Sequence, residues 1–326
     1  MRGRLNACRL ALVAATLIAS AAGGRAEDAY DFRRQLETVH AADRRDPSAT
    51  RAADEFAFEP GVVLSIPADA GEVLYRAVRD FEDYLSVSMK VEAGGVRRDA
   101  ANAGLSVALD GARGYTVDVG ETVAIRAADE RQAAQALYHL EDLMNLRAGP
   151  FLRRGAERRA PRFDVRMTHS GYGNDIFPDE HLAQMAHYGM TAILVFLDDI
   201  DKTKAQDYQD IKALIRRAAR YGLDTYLYSY INAFAHPDDG DWAFDDSYGR
   251  VAGYYPEAKG IILVGESCQF PSKDPRVQPV LYTDKDPNDP RPLSGWFPCT
   301  DYPQWVAAVR RAIHARAPQM ELVFWT

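Results

Sequence analysis

Up to residue 148, apolar and polar positions form short strand-like runs separated by two amphipathic helices. The segment 72–85 has apolar residues three and four positions apart, which predicts a helix with one buried face. A second helix is expected after Asp129, because an aspartate commonly caps a helix N-terminus. Strands are predicted at 62–67, 104–109, 115–119 and 122–127. This order of elements indicates a small α+β layer over residues 61–148.

Beyond residue 162 the pattern changes to a regular alternation of strand and helix. Strands are predicted at 163–168, 191–197, 223–230, 261–264 and 321–325, with helices at 179–188, 205–221, 247–257 and 302–315. The apolar run Ile261–Val264, bounded by glycines, is typical of a buried strand in a parallel sheet. We therefore predict an α/β fold with a (β/α)8 TIM-type barrel over 163–326. Only about five βα units are present, whereas a closed barrel needs about 250 residues. We therefore expect a C-terminally truncated fragment of a longer protein, and the alternative is an open sheet.

Three further segments complete the predicted organisation. Residues 1–26 combine a basic start, an apolar core of about ten residues and small residues before the end, which predicts a signal peptide because a membrane span needs about twenty apolar residues. Residues 27–60 form a polar lead-in segment, and residues 149–162 form a basic linker with two prolines. We expect an exported protein, periplasmic or extracellular.

Charge and cysteine content restrict the partners. The formal net charge is −8, and loss of residues 1–26 would remove four arginines and no acid. An acidic surface argues against nucleic acid or an anionic membrane as the partner. No membrane span and no cofactor are predicted, and the sequence does not indicate the oligomeric state. Cys268 and Cys299 would remain after export, either as a disulfide or as two thiols.

A succession of short motifs indicates a family resemblance. The strands Gly114–Val117 and Val123–Ala127 precede the helical motif Ala133-Ala134-Gln135-Ala136-Leu137-Tyr138, and Ala160-Pro161-Arg162-Phe163 follows at the first predicted barrel strand. This succession resembles the N-terminal domain of bacterial β-hexosaminidases, and related domains precede the barrels of α-glucuronidases. The resemblance implies a glycoside hydrolase with a (β/α)8 barrel, acting on a glycan.

Glu266 follows the apolar run at 261–264, and the carboxyl ends of strands are where α/β folds place their chemistry. Hydrolysis of a glycosidic bond needs a carboxylic acid to protonate the leaving oxygen and a second carboxylate as nucleophile or base. An apolar strand end can raise the pKa of a carboxyl group towards neutrality. Glu266 is therefore the catalytic candidate, and the second carboxylate is expected beyond residue 326. The structural alternative is a loop glutamate that pairs with an arginine or caps a helix.

The resemblance has one informative departure at this position. Family 20 hexosaminidases have an Asp-Glu pair after the fourth strand, in which the Asp orients the acetamido group of the substrate and the Glu is the general acid. This chain has Gly265 followed by Glu266. The resemblance thus implies an acid role for Glu266 but not substrate-assisted cleavage by that pair, and it favours a separate family that shares the architecture.

The ends of the other predicted strands supply candidates for substrate binding. They are His169, Asp198, Asp199, Tyr230, Asn232 and Trp325. Asp198 and Asp199 could hold sugar hydroxyls or a cation, although acidic residues in such turns often cap the next helix. Trp325 could stack its face on a sugar ring. A structural or packing role is the alternative for each of the six.

Two rival functions stay open at this point. One is a non-catalytic carbohydrate-binding protein that retains the barrel. The other is a metal-dependent hydrolase that uses Asp198, Asp199 and His169. A zinc motif is not predicted, because His181, His187 and His236 are too scattered for the usual ligand spacing.

Overall fold

A computed structural model describes residues 37–110, 113–169, 176–203, 209–229, 236–264, 273 and 301–325. The chain divides into two compact units, Met1–Val39 and His40–Thr326. All elements described below belong to the second unit. Among the helices of these ranges, none is long and apolar enough to cross a bilayer.

The first half of this unit is an α+β layer. Its elements are β1 (Glu55–Ala57), β2 (Leu64–Ile66), α1 (Glu72–Val87), β3 (Val96–Arg98), β4 (Leu105–Leu109), β5 (Tyr115–Val119), β6 (Val123–Ala127), α2 (Glu130–Arg147), β7 (Phe151–Arg153) and β8 (Gly155–Arg159). Six strands form one sheet in the order β3-β2-β4-β6-β5-β8, while β1 pairs with β7. The helices α1 and α2 pack on each other and on this sheet.

The two helices form where the sequence predicts them. In α1 the buried residues recur every three or four positions, as in Leu74, Val78, Phe81 and Leu85. Asp129 caps α2, because its side chain accepts a hydrogen bond from the backbone N–H of Gln132 at 2.8 Å. A side-chain cap therefore fixes the start of α2, and burial of an apolar face stabilises α1.

The predicted linker 149–162 contains two strands. β7 pairs antiparallel with β1, and β8 pairs antiparallel with β5 along its full length. All five residues of β8 are exposed. Since neither face of β8 is buried, its sequence lacks the apolar alternation that reveals a strand. Its charged side chains suit the edge of a sheet.

The second half consists of βα units. Its elements are β9 (Met167–His169), α3 (Asp179–His187), β10 (Ala192–Asp199), β11 (Lys202–Thr203), α4 (Ile211–Arg220), β12 (Asp224–Ser229), α5 (Trp242–Phe244), a π-helical turn (Asp245–Gly249), α6 (Arg250–Tyr254), β13 (Gly260–Val264), α7 (Tyr302–Arg316) and β14 (Glu321–Trp325). The strands β9, β10, β12, β13 and β14 are parallel neighbours in chain order. Successive parallel strands joined by helices are the arrangement of a TIM-type barrel, so the predicted α/β class is confirmed.

The parallel sheet is covered on one face by helices and presents aromatic side chains on the other. On β10, Ile193, Val195 and Leu197 belong to the core that includes α4 and α7. The alternate residues Leu194 and Phe196 belong to a separate cluster that also includes aromatic residues of β12. This two-sided burial explains why the strands have continuous apolar runs.

The α+β layer is fastened to the βα half through α2. Arg131 binds both carboxylate oxygens of Asp224, at 2.9 and 3.1 Å, at the start of β12. The side-chain amide of Gln135 donates to the backbone carbonyl of Ala186 at 2.9 Å, near the end of α3. One contact lies at the start of β12, and the other lies at the end of α3, which precedes β10. The layer therefore covers the amino-terminal edge of the parallel sheet.

The core of the α+β layer gives a direct stability prediction. Phe81→Ala removes a fully buried ring and should lower the free energy of unfolding by about 3–5 kcal/mol. Leu146→Ala, at a side chain that is 86% exposed, is the control and should change it by less than about 0.5 kcal/mol. Urea unfolding followed by circular dichroism measures both, and equal effects would contradict the described packing.

Candidate active site at the strand ends

The carboxyl ends of the parallel strands gather several of the predicted site residues at one edge. His169 lies opposite Leu194 in the β9–β10 register, so both side chains point to the same face. The ring of His169 meets the ring of Phe196 edge-on, with the centroids 5.8 Å apart. Phe196 in turn contacts Tyr228 at 4.7 Å. A histidine thus lies exposed beside two buried aromatic rings on the face that carries no helices.

Asp198 lies near the end of the same strand. It follows Phe196 by two residues, between Leu197 and Asp199, where the pairing of β10 with β11 shifts register. Its Oδ2 lies 3.6 Å from Nζ of Lys202, in the short antiparallel turn to β11. An ion pair at that distance between partly exposed groups contributes less than about 1 kcal/mol. The carboxylate therefore stands at the aromatic edge, where it can accept hydrogen bonds from a ligand's hydroxyl groups.

Asp199, the next residue, has a different environment. Nη2 of Arg250, in α6, donates to its Oδ1 at 2.8 Å, and the backbone N–H of Ile200 donates to the same oxygen at 2.7 Å. The Arg250 hydrogen bond, supported by that of Ile200, holds the pKa of Asp199 below its ordinary value. The residue thus joins a strand end to a helix, which fits the structural alternative better than substrate binding.

Asp201 supports the following helix. It has a positive φ of 53° and is buried. Its Oδ1 accepts from the hydroxyl of Tyr255 at 2.8 Å and from the backbone N–H of Ile211, the first residue of α4, at 3.3 Å. Its Oδ2 accepts from the hydroxyl of Tyr254 at 3.2 Å. This carboxylate therefore stabilises the segment between β10 and α4.

Several predicted residues fall outside the described ranges. They are Glu266, Tyr230, Asn232, Cys268 and Cys299. Glu266 stands two positions after the last residue of β13 in the sequence. Trp325 is the last residue of β14, but its side chain lies outside the described part.

Two aromatic residues at the strand edge were not among the predicted site residues. Phe196 and Tyr228 form the apolar surface beside His169 and Asp198. The period-two pattern of β10 and β12 contains the signal, since each aromatic residue lies two positions before a predicted site residue, Asp198 or Tyr230. A search limited to residues at the strand ends does not find these two aromatic residues.

The three residues of the proposed metal-dependent hydrolase do not form a ligand group. Asp199 is bound by Arg250, and within the described residues no group with metal-ligand spacing includes Asp198, Asp199 or His169. Within the part of the chain that the structure describes, the group of side chains with metal-ligand spacing consists of His40, Glu141 and His187. The structure therefore gives no support to metal chemistry at this edge.

Comparisons with known proteins give the fold. No protein-family model and no curated protein match the chain. Among solved structures, a mutant β-hexosaminidase from Streptomyces plicatus in complex with its product GlcNAc has a TM-score of 0.60 and 14% identity, over 87% of this chain and 66% of that one. The chain has a β-hexosaminidase-like fold. The GH20 β-N-acetylhexosaminidase from Streptomyces coelicolor A3(2) matches with the same values.

A second class of enzyme shares this fold. A GH115 4-O-methyl-α-glucuronidase with specificity for decorated arabinogalactans has a TM-score of 0.53 and 9% identity, over 82% of this chain and 42% of that one. The predicted resemblance to β-hexosaminidases and α-glucuronidases is thus confirmed as a similarity of fold. The chain spans 66% of the length of the two hexosaminidases. At these identities the similarity does not carry over an activity.

The contrasting environments of two aspartates predict contrasting effects on stability. Asp201→Ala should lower the free energy of unfolding by about 1–3 kcal/mol, because it leaves buried donors without an acceptor. Asp199→Asn removes an exposed ion pair and should cost less than about 1 kcal/mol. Chemical denaturation compares the two variants, and a larger loss for Asp199→Asn would refute this assignment.

Proposed function

We propose that this protein is a glycoside hydrolase that acts on a complex glycan or polysaccharide through carboxylate general acid/base catalysis. The observation that carries the proposal is the carboxyl edge of the parallel sheet, where His169 contacts the ring of Phe196, Phe196 contacts Tyr228, and Asp198 follows Phe196 by two residues. In barrel enzymes this edge holds the active site. Aromatic faces and hydroxyl-binding carboxylates are the groups that a sugar ring needs. The leader-like residues 1–26 add export to the periplasm or the exterior as part of the proposal.

Glu266 is the proposed general acid. It follows β13, the fourth strand in the order β9-β10-β12-β13, and Ile262 and Leu263 of that strand are buried. As the glycosidic bond breaks, the acid donates its proton to the leaving oxygen, and positive charge develops on the sugar ring. A carboxyl group beside an apolar strand end is suited to this role because burial disfavours its ionised form. Asp198 would bind sugar hydroxyls on the same edge.

Gly265 narrows the choice of mechanism and substrate. A hydrogen atom in place of the acidic side chain of family 20 cannot orient an acetamido group. We therefore propose that the sugar cleaved by this protein is not required to carry an N-acetyl group. The first measurement is hydrolytic activity on a panel of N-acetylhexosaminides, hexosides and 4-O-methylglucuronides. Such a panel is needed because the two classes of enzymes with this fold act on chemically different sugars.

Replacement of Glu266 tests the catalytic assignment. Glu266→Gln should lower kcat on an unactivated oligosaccharide by about 10²- to 10⁴-fold, because the leaving alkoxide is no longer protonated. The loss should be much smaller on a dinitrophenyl glycoside, whose leaving group needs no proton. Glu257→Gln is the matched control, since Glu257 is an exposed glutamate that pairs with Arg216 on the helical side. Unchanged turnover in Glu266→Gln would refute the assignment.

Adjacent aspartates provide a second test of the site. Asp198→Asn should lower kcat/KM by about 10-fold or more, since it weakens a charge-assisted hydrogen bond that is worth about 1.5–3 kcal/mol. Asp199→Asn, at the carboxylate that Arg250 binds, should leave kcat/KM within about two-fold of the wild type. Initial rates across a substrate series measure both effects, and the reverse order would make Asp199 the carboxylate that contacts the substrate.

Carbohydrate binding without turnover is the second candidate function, and the glycine at position 265 is the observation that favours it. Calorimetric titration of the wild-type protein with oligosaccharides, together with product analysis by chromatography, separates the two. Saturable binding with no released sugar over a long incubation would select the binding function.

A further inference from the structure

Four ionisable side chains from four segments meet inside the molecule, away from the strand ends. His40 precedes β1, Asp80 lies in α1, Glu141 lies in α2, and His187 is the last residue of α3. We call these residues the interlayer cluster. Asp80 contacts both imidazoles, through Oδ1 to Nε2 of His40 at 3.2 Å and through Oδ2 to Nε2 of His187 at 2.9 Å. Glu141 Oε2 lies 3.2 Å from the same nitrogen of His187.

The environment of His187 leaves its Nε2 facing two carboxylates. Its Nδ1 is 2.8 Å from the carbonyl oxygen of Ala183, one turn earlier in α3. A carbonyl oxygen can only accept, so Nδ1 carries a hydrogen. In the neutral ring Nε2 then presents a lone pair towards Asp80 and Glu141. This is the usual arrangement of a metal-binding histidine, whose other nitrogen donates to a backbone carbonyl.

Hydrogen bonding does not satisfy the centre of the cluster. Nε2 of His187, Oδ2 of Asp80 and Oε1 of Glu141 are buried atoms without a hydrogen-bond partner, and the Glu141 side chain is only 5% exposed. Each such atom costs about 1–3 kcal/mol if it is left unsatisfied. Buried polar atoms without partners are rare in native proteins and call for a specific explanation. A bound cation explains how these three buried atoms are satisfied.

Charge leads to the same conclusion. Two carboxylates in a buried site need about two positive charges nearby, because isolated buried charges are strongly unfavourable. Two neutral imidazoles, two carboxylates and one divalent cation make a neutral set.

One pair of donor atoms already has the spacing of neighbouring ligands of a small transition-metal ion. Ligand atoms of His40, Glu141 and His187 lie within 4.8 Å of one another. Neighbouring ligands of a tetrahedral ion with bonds of about 2.0–2.1 Å are roughly 3.3 Å apart. The 3.2 Å between Glu141 Oε2 and His187 Nε2 is close to that value. Mixed imidazole and carboxylate donors suit Zn²⁺, while Ca²⁺ and Mg²⁺ prefer oxygen alone.

We propose that His40, Glu141 and His187 bind one Zn²⁺ ion, with the carboxylate of Asp80 beside the site, within 3.2 Å of Nε2 of both imidazoles. The site is structural. Its ligands come from the segment before β1, from α2 and from α3, so the ion joins the α+β layer to the first βα unit. The ring of Tyr138, at 4.0 Å from that of His187, and the ring of Tyr84, at 5.6 Å from that of His40, restrict access of water.

Metal content is the first test. The full chain, purified without a histidine tag, is dialysed against zinc sulfate and then against metal-free buffer, and its zinc is measured by plasma mass spectrometry. We expect about one zinc per chain in the wild type and a loss of at least about 100-fold in zinc affinity for His40→Gln and Glu141→Gln. Asp80→Asn should weaken zinc binding about 10- to 100-fold, as expected for a supporting residue.

His139→Gln is the matched control. His139 is also a buried histidine of α2 and pairs with a glutamate, Glu157, at 3.3 Å. Because it lies outside the interlayer cluster, its replacement should leave one zinc per chain. If His139→Gln and His40→Gln lost zinc to the same degree, the loss would reflect general destabilisation and the assigned ligands would be wrong.

Cobalt substitution tests the geometry without relying on folding of the variants. Co²⁺ added to the metal-free wild type should give the intense visible absorption of a four-coordinate site, and Zn²⁺ should displace it at one equivalent. A chelator should lower the melting temperature of the wild type but not that of His40→Gln. The proposal is overturned if the wild type retains no zinc above the buffer level, or if folded His40→Gln binds zinc as tightly as the wild type. None of these measurements depends on turnover of a glycan.

Discussion

The βα half depends on burial of both faces of its parallel strands. On β10, Ile193 and Val195 pack against the helices, whereas Leu194 and Phe196 pack among side chains from the neighbouring strands. A residue at either kind of position gains roughly 1.5–3 kcal/mol when it leaves water. Because both faces are occupied by apolar side chains, polar side chains are confined to the strand ends. Any site for a hydrophilic ligand on this sheet must therefore lie at an edge.

The three aspartates at the end of β10 and just after it have different roles. The regular pairing of β10 is interrupted between Leu197 and Asp199, and the positive φ of Asp201 turns the third carboxylate back under the next helix. Arg250 and two tyrosines then engage Asp199 and Asp201 respectively. The three side chains are chemically alike and differ in what faces them. The partners of Asp199 and Asp201 come from residues about fifty positions later in the chain, and they give these two carboxylates structural roles.

Much of the fold could be predicted from local patterns, because most elements bury one or both faces. The predicted limits of β5, β14 and the start of α2 agree with the structure, since apolar alternation or an N-cap marks them. β8 was missed because it is an exposed edge strand without a buried face. The strand-end location of His169 and Asp198 follows from topology alone. The different environments of Asp198 and Asp199, and the interlayer cluster, could not be predicted, since they depend on side chains far apart in sequence.

The two edges of the parallel sheet have different physical roles. At the amino-terminal edge, Arg131 binds Asp224 through two hydrogen bonds, and Gln135 binds the returning end of α3. These contacts and the interlayer cluster fix the α+β layer against the start of the strands. The α+β layer therefore stabilises the edge opposite to the one that carries His169 and Asp198. The fold that these contacts hold together is similar, at 14% and 9% identity, to those of a β-hexosaminidase and an α-glucuronidase, so similarity of fold here does not fix the sugar.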